Sequence, residues 1–309
     1  MINIQENVSL KDYTTLNIGG PARYFVEIRT LHELTEAIKF AKEKNIDFFI
    51  LGGGSDLLIN DDGFSGLVIK CNVMGLGGGR LDYTGCLPAT LLQDFVDAMN
   101  SQGLSGIEKL AGIPGTVGGA IYGNAGAFGQ TISDKLTKVK LLVDGKEKWL
   151  NKDELEFDYR ESVLKKHKDW VILEAEFMFD KRDAEELKKA SQETLDTRAK
   201  KYTPGIKCPG SFFKNLIIDR LPENLQKDMP KDYYGKVPAW WFLEQVGAKG
   251  AQKGNIKIAD HHANLFTNLG DGTAADFFSL AKEYKLKVKE KFGINLEPEV
   301  QLIGFTEEL

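Results

Sequence analysis

The sequence predicts an α+β protein of two domains, and three observations support this prediction. The chain has 309 residues, and domains of about 150 residues are typical. Short apolar runs and amphipathic helical patterns alternate through the N-terminal half. A long charged segment over residues 183–200 separates that half from a further set of short elements. We therefore expect residues 1–200 and 201–309 to form separate domains.

The first predicted elements are two helices and two strands. Apolar residues at i, i+3, i+4 and i+7 over residues 34–41 predict an amphipathic helix. Residues 48–51 form a short apolar run that stops at three glycines, which is typical of a buried strand entering a tight loop. Residues 67–69 predict another short strand. A second helix is expected over residues 91–99, with its end near Gly103.

The middle of the chain changes from a glycine-rich loop to strands. Residues 109–129 contain so much glycine that we expect a loop with one short helical turn. Apolar runs on either side of Asp144-Gly145 predict a β-hairpin from residue 138 to residue 150. Alternating apolar and acidic residues predict a strand over 171–179. The helix predicted over 183–200 is so polar that we expect it to be exposed or to bridge two domains.

The C-terminal region is predicted to hold helices and short strands. A proline suits the first turn of a helix over residues 239–246. Residues 256–259 and 263–267 are candidate strands, and residues 300–303 predict a last one. Between them, Thr273 and Asp276 suit the start of a long helix that ends at Gly293, so we place this helix over 273–293.

Charge and cysteine usage exclude several classes of protein. Forty basic residues against 45 acidic ones give a net charge of -5 and a pI near 5.6, which argues against a general nucleic-acid binder. No apolar run approaches the roughly 18 residues of a membrane-spanning helix, and no export signal is visible at the N-terminus. Three widely spaced cysteines argue against a disulfide framework. We therefore expect a reduced, cytoplasmic globular protein without nucleic-acid or membrane partners.

Glycine is the one residue type in clear excess, with 32 residues in 309, against about 7% in typical proteins. Clustered glycine marks turns or backbone that approaches something closely. In the segment Gly52 to Asp56, successive backbone N–H groups could converge on a pyrophosphate. The segment is neither a Walker A loop nor a Rossmann fingerprint. An ordinary tight turn is the alternative interpretation.

A second glycine-rich segment covers residues 112–120 and is followed by Gly123-Asn124-Ala125-Gly126. Backbone with so few side chains could lie flat against a large planar ligand. The alternative is a glycine-rich connection packed on a sheet. Spacing alone leaves both interpretations open.

Seven short segments stand out in order along the chain. They are TTLNIGGPARYFVE (14–27), LGGGSDLLI (51–59), GIPGTVGGAIYGNAGAFG (112–129), YRES (159–162), GSFFKN (210–215), KVPAWWFLEQVGAKG (236–250) and LEPEV (296–300). In this order they resemble the UDP-N-acetylenolpyruvoylglucosamine reductase (MurB) family of peptidoglycan synthesis, nearly from end to end. The short region between Gly129 and Tyr159 resembles the more compact branch of that family.

The resemblance implies both a fold and a reaction. The fold is an FAD-binding module of two α/β subdomains in the vanillyl-alcohol-oxidase (PCMH) style over residues 1–200, divided near residues 70–80, followed by a C-terminal α+β substrate-binding domain over 201–309. The reaction is the reduction of UDP-N-acetylglucosamine enolpyruvate to UDP-N-acetylmuramate, with non-covalent FAD as cofactor and NADPH as hydride donor. The expected partner is a UDP-sugar substrate, and we expect a monomer.

The resemblance also implies three catalytic residues. Arg160 matches the family arginine, and its guanidinium suits a carboxylate and stays charged. Ser211 matches the proton-donating serine, although a serine hydroxyl is a poor acid unless its neighbours stabilise the alkoxide. Glu299 matches the third catalytic residue, with Glu297 as the alternative. Pro298 restricts the residue before it, which favours a defined turn that aims Glu299.

Further residues are implied in ligand binding. The cofactor-binding residues implied by the two loops are Gly52, Gly53, Gly54, Ser55, Asp56, Gly115, Thr116, Gly118 and Gly119. Asn215 matches an asparagine that contacts the substrate diphosphate, while Lys214 and Lys207 are candidate phosphate partners on charge alone. Two positions depart from the family pattern: Asp56 follows Ser55 where Gly-Ser-Asn is usual, and Leu216 replaces a proline. We expect no metal site, since adjacent histidines such as His261-His262 seldom share a metal.

Two other functions are compatible with the same scaffold. One is a flavin oxidase that passes electrons from an alcohol or sugar lactone to oxygen. The other is a nucleotide-sugar-binding regulator without turnover. The joint presence of Arg160, Ser211 and Glu299 argues against both.

Overall fold

A computed structural model describes residues 2–77, 83–226, 230 and 234–309. It divides the chain into two compact units. The first unit comprises Met1–Val8, Ala22–Gly54 and Ser65–Tyr202. The second comprises Ser9–Pro21, Ser55–Phe64 and Thr203–Leu309.

Short strands and a smaller number of helices make up the regular structure. The strands are β1 (Gln5–Ser9), β2 (Pro21–Ile28), β3 (Phe48–Leu51), β4 (Leu57–Ile59), β5 (Phe64–Cys71), β6 (Leu76–Gly77), β7 (Tyr83–Cys86), β8 (Leu104–Ser105), β9 (Gly126–Ala127), β10 (Gln130–Thr131), β11 (Leu136–Val143), β12 (Lys146–Asn151), β13 (Val171–Met178), β14 (Asp180–Lys181), β15 (Leu216–Ile217), β16 (Lys236–Val237), β17 (Gln252–Lys253), β18 (Ile256–Ile258), β19 (Phe266–Asn268) and β20 (Gln301–Ile303). The α-helices are α1 (Leu31–Glu43), α2 (Leu92–Ser101), α3 (Val117–Tyr122), α4 (Ala184–Ala199), α5 (Glu223–Gln226), α6 (Ala239–Gln245) and α7 (Ala274–Phe292). Short 3₁₀ helices cover Lys11–Tyr13, Glu108–Leu110, Ile132–Asp134, Lys152–Leu155, Val163–Lys165 and Ile218–Arg220.

The first sheet has the strand order β1-β2-β5-β3. Strands β3 and β5 run parallel, with Leu51 opposite Lys70. Helix α1 begins with a capping box of Thr30 and Glu33 and buries Leu34, Ala37, Ile38 and Ala41, the residues that predicted it. These side chains join apolar residues of β2 and β5 in one core. The helix predicted over 34–41 and the strands predicted over 48–51 and 67–69 are therefore confirmed as α1, β3 and β5.

The second sheet of the first unit has the order β12-β11-β13-β7-β6. Its hairpin turns through Asp144 and Gly145, which have φ of 50° and 76°, as the turn residues predicted. Helix α4 begins at its N-cap Asp183 and buries Leu187, Ser191 and Thr194. Ser191 accepts a 2.7 Å hydrogen bond from Asn100 of α2. Most residues of α4 are exposed, as the polarity of the segment predicted, while small polar side chains let one face pack within the first unit.

An ionisable side chain is buried beside these helices. Glu108 accepts hydrogen bonds from the Gly106 amide at 2.6 Å and from Gln130 Nε2 at 2.8 Å. Burial acts to raise the pKa of Glu108, but these hydrogen bonds outweigh it and the net shift is downward from 4.5. The ionised carboxylate is therefore part of the folded structure.

The second unit has a separate core, in which aromatic side chains pack edge to face. Phe212 lies 4.8 Å from Phe213 and 5.0 Å from Phe277 of α7, measured between ring centroids. The long predicted helix is confirmed as α7, which starts at the N-cap Thr273 and ends at Gly293 with φ of 70°. The sheets of the second unit have the strand orders β17-β18-β19, β15-β16 and β20-β4.

The division of the chain differs from the expected single boundary after residue 200. The main boundary between the two units lies between Tyr202 and Thr203, but Ser9–Pro21 and Ser55–Phe64 also belong to the second unit. Segment Ser55–Phe64 contains β4, which pairs in parallel with β20, with Leu58 opposite Leu302. In Ser9–Pro21, the carbonyls of Leu16 and Asn17 accept hydrogen bonds from Asn268. The expected subdomain division near residues 70–80 falls between the two sheets of the first unit, and residues 78–80 lie outside the described residues.

Smaller differences concern the ends of elements. Strands β1 and β2 were not predicted. The strand expected over 263–267 is the shorter and later β19, and Pro238 is the N-cap of α6 rather than a residue of its first turn. In the described part of the chain, no helix is long and apolar enough to cross a bilayer.

Candidate active site

The two glycine-rich loops of the first unit contact each other. A Cβ added to Gly53, in the loop that leaves β3, would lie 2.6 Å from the Cα of Gly115. A Cβ on Gly52 would lie 2.9 Å from Thr116 Oγ1. Only residues without side chains permit this approach, so two motifs that are about 60 residues apart in the sequence form one bare surface.

Lys70 supports the first of these loops, and sequence reasoning missed it. It lies on β5 opposite the last residue of β3, and its ammonium donates a hydrogen bond to the Gly52 carbonyl. Burial lowers the pKa of the Lys70 ammonium, and the charge of Glu27 opposes that shift. The signal in the sequence is a lysine inside an apolar strand.

Helix α3 follows the second loop, and the backbone amides of its first turn donate hydrogen bonds to other groups of the protein. Thr116 Oγ1 accepts from the Gly119 amide at 3.2 Å. The amides of Val117 and Gly118 donate to the carbonyls of Thr90 at 2.9 Å and Pro88 at 2.8 Å. A Cβ on Gly118 would lie 2.9 Å from the Pro88 carbonyl oxygen. Gly118 therefore lets two backbone segments lie close together, and the amides of Gly118 and Gly119 already have acceptors within the protein.

Arg160 lies in a tight turn whose ends, Asp158 and Glu161, exchange backbone hydrogen bonds of 3.2 and 3.1 Å. Its φ is 58°, in the left-handed region that costs a residue with a side chain on the order of 1–3 kcal/mol. Its guanidinium donates to the carbonyls of Gly126 at 2.9 Å and Asn124 at 3.5 Å. The surrounding structure therefore holds the half-buried arginine in a strained conformation, as is common at functional sites.

A second guanidinium lies near Arg160, and sequence reasoning missed it as well. Arg198, in the last turn of α4, donates from Nε to the Gly112 carbonyl at 3.0 Å and lies over the ring of Tyr202 at 5.2 Å. Burial lowers the pKa of Arg198; Tyr202 opposes this shift and the charge of Arg160 adds to it. Two cationic groups that interact electrostatically favour an anion beside them.

The segments of Ser211 and Glu299 pair with each other through the backbone in the second unit. Ser211 bridges to Leu265, and the Glu299 amide donates to the carbonyl of Phe212 at 2.8 Å. Asn264 secures this ladder, because it accepts from the Phe213 amide and donates to the Phe213 carbonyl, both at 2.8 Å. Two of the three predicted catalytic residues thus lie within one local ladder, while Arg160 belongs to the first unit.

Two glutamates surround Pro298, and the structure distinguishes them. Glu297 has a side chain that is 71% exposed, and it pairs with Lys214 at 3.2 Å. Glu299 is only partly exposed. A side chain as exposed as that of Glu297 is a weak candidate for catalysis, so the difference in exposure favours Glu299.

The other predicted ligand-binding residues have structural contacts in the second unit. Asn215 Oδ1 accepts from the Ala239 amide at the start of α6, at 3.3 Å. Lys207 donates to Asn17 Oδ1 at 3.0 Å. The Ser55 carbonyl accepts from Thr15 Oγ1 at 3.5 Å, and the Asp56 carbonyl accepts from the Gln301 amide at 3.0 Å.

The residues of the first unit fit a large flat cofactor with a diphosphate group. The contact of Gly53 with Gly115 brings the bare backbones of the two glycine loops together. Lys70 places a half-buried ammonium against the first loop. Asn124 is 5% exposed, and its Oδ1 is a buried acceptor that has no hydrogen-bond partner among the described residues. Such an acceptor suits an N–H or O–H of a bound group.

Comparison with known proteins supports this interpretation. Residues 22–151 match an FAD-binding domain, and residues 202–303 match the C-terminal domain of UDP-N-acetylenolpyruvoylglucosamine reductase. The UDP-N-acetylenolpyruvoylglucosamine reductase of Solibacter usitatus is 43% identical over 303 residues, which cover 97% of each chain. That of Anoxybacillus flavithermus is 35% identical and covers 97% of this chain and 94% of its own.

A solved structure agrees over the whole length. The crystal structure of UDP-N-acetylenolpyruvylglucosamine reductase (MurB) from Thermus caldophilus matches with a TM-score of 0.76 and 29% identity, covering 98% of this chain and 100% of the other. The predicted fold class, an FAD-binding module followed by a C-terminal α+β domain, is confirmed. The chain belongs to the UDP-N-acetylenolpyruvoylglucosamine reductase family, a family of FAD- and NADPH-dependent oxidoreductases.

Proposed function

We propose that Arg160, Ser211 and Glu299 are the catalytic residues of this chain. The reaction of the family reduces UDP-N-acetylglucosamine enolpyruvate to UDP-N-acetylmuramate in peptidoglycan precursor synthesis. FAD, held at the two glycine loops, would supply the hydride chemistry between NADPH and the terminal carbon of the enolpyruvyl group. The protein must then stabilise negative charge that builds on the substrate carboxylate and supply a proton to the neighbouring carbon.

The role proposed for Arg160 is to hold the substrate carboxylate. Its guanidinium is a planar fork that remains charged. The hydrogen bonds to Gly126 and Asn124 fix its direction before substrate arrives, so little reorganisation is needed when charge develops. This preorganised guanidinium is the observation that carries the proposal.

Ser211 is proposed to donate the proton and Glu299 to polarise the enol. Both roles require that the two groups are held in a defined relation, because proton transfer depends on hydrogen-bond distance. The ladder that joins Phe212 to Glu299 supports this. Glu299 carries this role better than Glu297, which is solvated and paired with Lys214.

The proposed FAD-binding set consists of Gly52, Gly53, Gly54, Ser55, Asp56, Gly115, Thr116, Gly118 and Gly119. The contact between the two glycine loops supports it. Asn215, Lys214 and Lys207 are proposed to contact the substrate diphosphate. The lysines offer two ammonium groups for this purpose, and Lys214 would exchange its pairing with Glu297 for a phosphate.

The test separates the two half-reactions without oxygen. NADPH should bleach the enzyme-bound flavin, and added UDP-N-acetylglucosamine enolpyruvate should restore its colour. In Ser211→Ala, flavin reduction should stay near the wild-type rate, while reoxidation by the substrate should fall by about 10²–10⁴-fold, the usual contribution of a proton donor. Equal losses in both half-reactions would contradict the role of Ser211.

A cytoplasmic monomer is the form proposed for the protein. The three cysteines, all within the described part of the chain, are buried thiols and form no disulfide, as is usual in a reducing compartment. Size-exclusion chromatography with light scattering should give a mass near 34.4 kDa. A mass twice as large would overturn the proposal of a monomer.

A further inference from the structure

The segment Gly123-Asn124-Ala125-Gly126 contains a buried asparagine next to the proposed catalytic arginine. Resting on the function proposed above, we propose that Asn124 is a positioning residue that fixes the guanidinium of Arg160 for the substrate carboxylate. The contacts of Asn124, its backbone conformation and its burial support this role.

Asn124 joins its own loop to the turn that carries Arg160. Its Nδ2 donates to the carbonyl of Asp158 at 2.8 Å, and its backbone carbonyl accepts from Arg160 Nη1 at 3.5 Å. Arg160 Nη2 reaches the same loop two residues later, at Gly126, at 2.9 Å. The loop and the turn are therefore connected in both directions, by a side-chain amide on one side and a guanidinium on the other.

The backbone of both residues lies in the left-handed region, with φ of 43° for Asn124 and 58° for Arg160. Asparagine adopts this conformation more readily than most residues, whereas arginine must be held in it by its surroundings. Asn124 is suited to provide that restraint, because it is 5% exposed and its backbone amide donates to the Ile121 carbonyl at 3.2 Å. A fixed asparagine thus defines where the strained turn lies.

The carbonyl oxygen of the Asn124 side chain supports a place in the site itself. It is buried and has no hydrogen-bond partner among the described residues. A buried acceptor of this kind is completed by an N–H or O–H donor, which the substrate would supply. Asn124 therefore contacts the turn of Arg160 through its amide nitrogen and its backbone carbonyl, while its side-chain oxygen keeps an unused buried acceptor beside that turn.

Asparagine is the residue type that meets all these demands. Glycine would accept the left-handed backbone but would lose the hydrogen bond to Asp158. Aspartate would keep the shape but would place an oxygen against the Asp158 carbonyl, where a donor is required. Asn124→Gly and Asn124→Asp therefore remove the same connection in two different ways.

The first experiment compares the half-reactions of these two variants with the wild-type holoenzyme. We expect reduction of the flavin by NADPH within about twofold of wild type and reoxidation by the substrate slower by roughly 10- to 100-fold, since a misplacement near 1 Å costs about 10²-fold. Asn45→Gly is the matched control, because Asn45 is exposed and has φ of 50°. Wild-type reoxidation in both variants, or equal loss in both half-reactions, would overturn the proposal.

The second experiment measures binding without turnover. The Kd of UDP-N-acetylglucosamine enolpyruvate for the oxidised holoenzyme is followed by the flavin spectrum in a double-mutant cycle with Arg160→Ala. Asn124→Gly should weaken binding by about 10-fold when Arg160 is present and by less than twofold in the Arg160→Ala background, because a positioning residue loses its effect with its target. Additive losses would overturn the proposal. If Arg160→Ala alone changes neither binding nor reoxidation, the proposed function of Arg160 fails instead.

Discussion

Replacing Gly53 by alanine tests whether the contact between the two glycine loops builds the FAD site. The new Cβ would lie 2.6 Å from the Cα of Gly115, whereas carbon atoms in contact lie about 3.5–4.0 Å apart. Both atoms belong to backbone or are fixed directly to it, so no side chain can rotate away. The two loops must separate by about 1 Å.

The expected magnitude follows from this displacement. Forcing one extra methyl group into a packed region costs about 1–3 kcal/mol. If the loops return to their native spacing only at this cost when FAD binds, the Kd for FAD should rise by about 5- to 150-fold, at 1.4 kcal/mol per factor of ten. The φ of Gly53 is not in the left-handed region, so backbone strain adds nothing to this figure.

The assay is titration of apoprotein with FAD, followed by flavin fluorescence, together with the melting temperature of the apoprotein. Gly270→Ala is the matched control, because a Cβ there meets no atom within 4 Å and the backbone needs no positive φ. It should bind FAD like wild type. If folded Gly53→Ala also binds FAD with the wild-type Kd, the loop contact does not shape the cofactor site and the reasoning is refuted.

Three further predictions concern single side chains. Glu299→Gln should slow flavin reoxidation by the substrate at least 10²-fold, whereas Glu297→Gln should change it less than twofold, and the reverse order in stopped-flow traces would favour Glu297. Lys70→Met should raise the Kd for FAD about tenfold, because the first loop loses a hydrogen bond worth about 1–1.5 kcal/mol; an unchanged Kd in the same fluorescence titration would contradict this. Because the pKa of Glu108 is lowered in the folded state, its carboxylate stabilises the protein above pH 4.5 and this stabilisation is lost as pH falls through the lower, folded value. The melting-temperature difference between wild type and Glu108→Gln should therefore shrink on acidification from about pH 7 to about pH 3, and a constant difference would show that ionisation of Glu108 is not involved.

Elements with local signals were predicted well from the sequence. Helix α7 has both a capping threonine and a terminal glycine, and its observed bounds, Ala274–Phe292, lie one residue inside the predicted ones. The hairpin around Asp144-Gly145 was predicted for the same reason, since two adjacent residues determine its turn. Strand β4 is different, because its partner β20 lies at the other end of the chain and no local pattern indicates that pairing.

The candidate site shows the same limit. The motifs identified Arg160, but an arginine at φ of 58° cannot be anticipated from residue preferences. Lys70 could be recognised only from the register of β3 and β5. Asn124 belonged to a motif that was noted for its glycines, and its role depends on the carbonyl of Asp158, 34 positions away.

The parallel pairing of β4 with β20 has a consequence for how the polypeptide matures on the ribosome. Synthesis releases Leu57–Ile59 first, and the partner strand Gln301–Ile303 is made only after residues 60–300. The first strand stays without this partner while those residues are translated, and unpaired strand edges favour association with other nascent chains. Severing the polypeptide after Tyr202 would therefore not liberate an autonomous C-terminal fragment, since that fragment would lack the strand on which its last one docks.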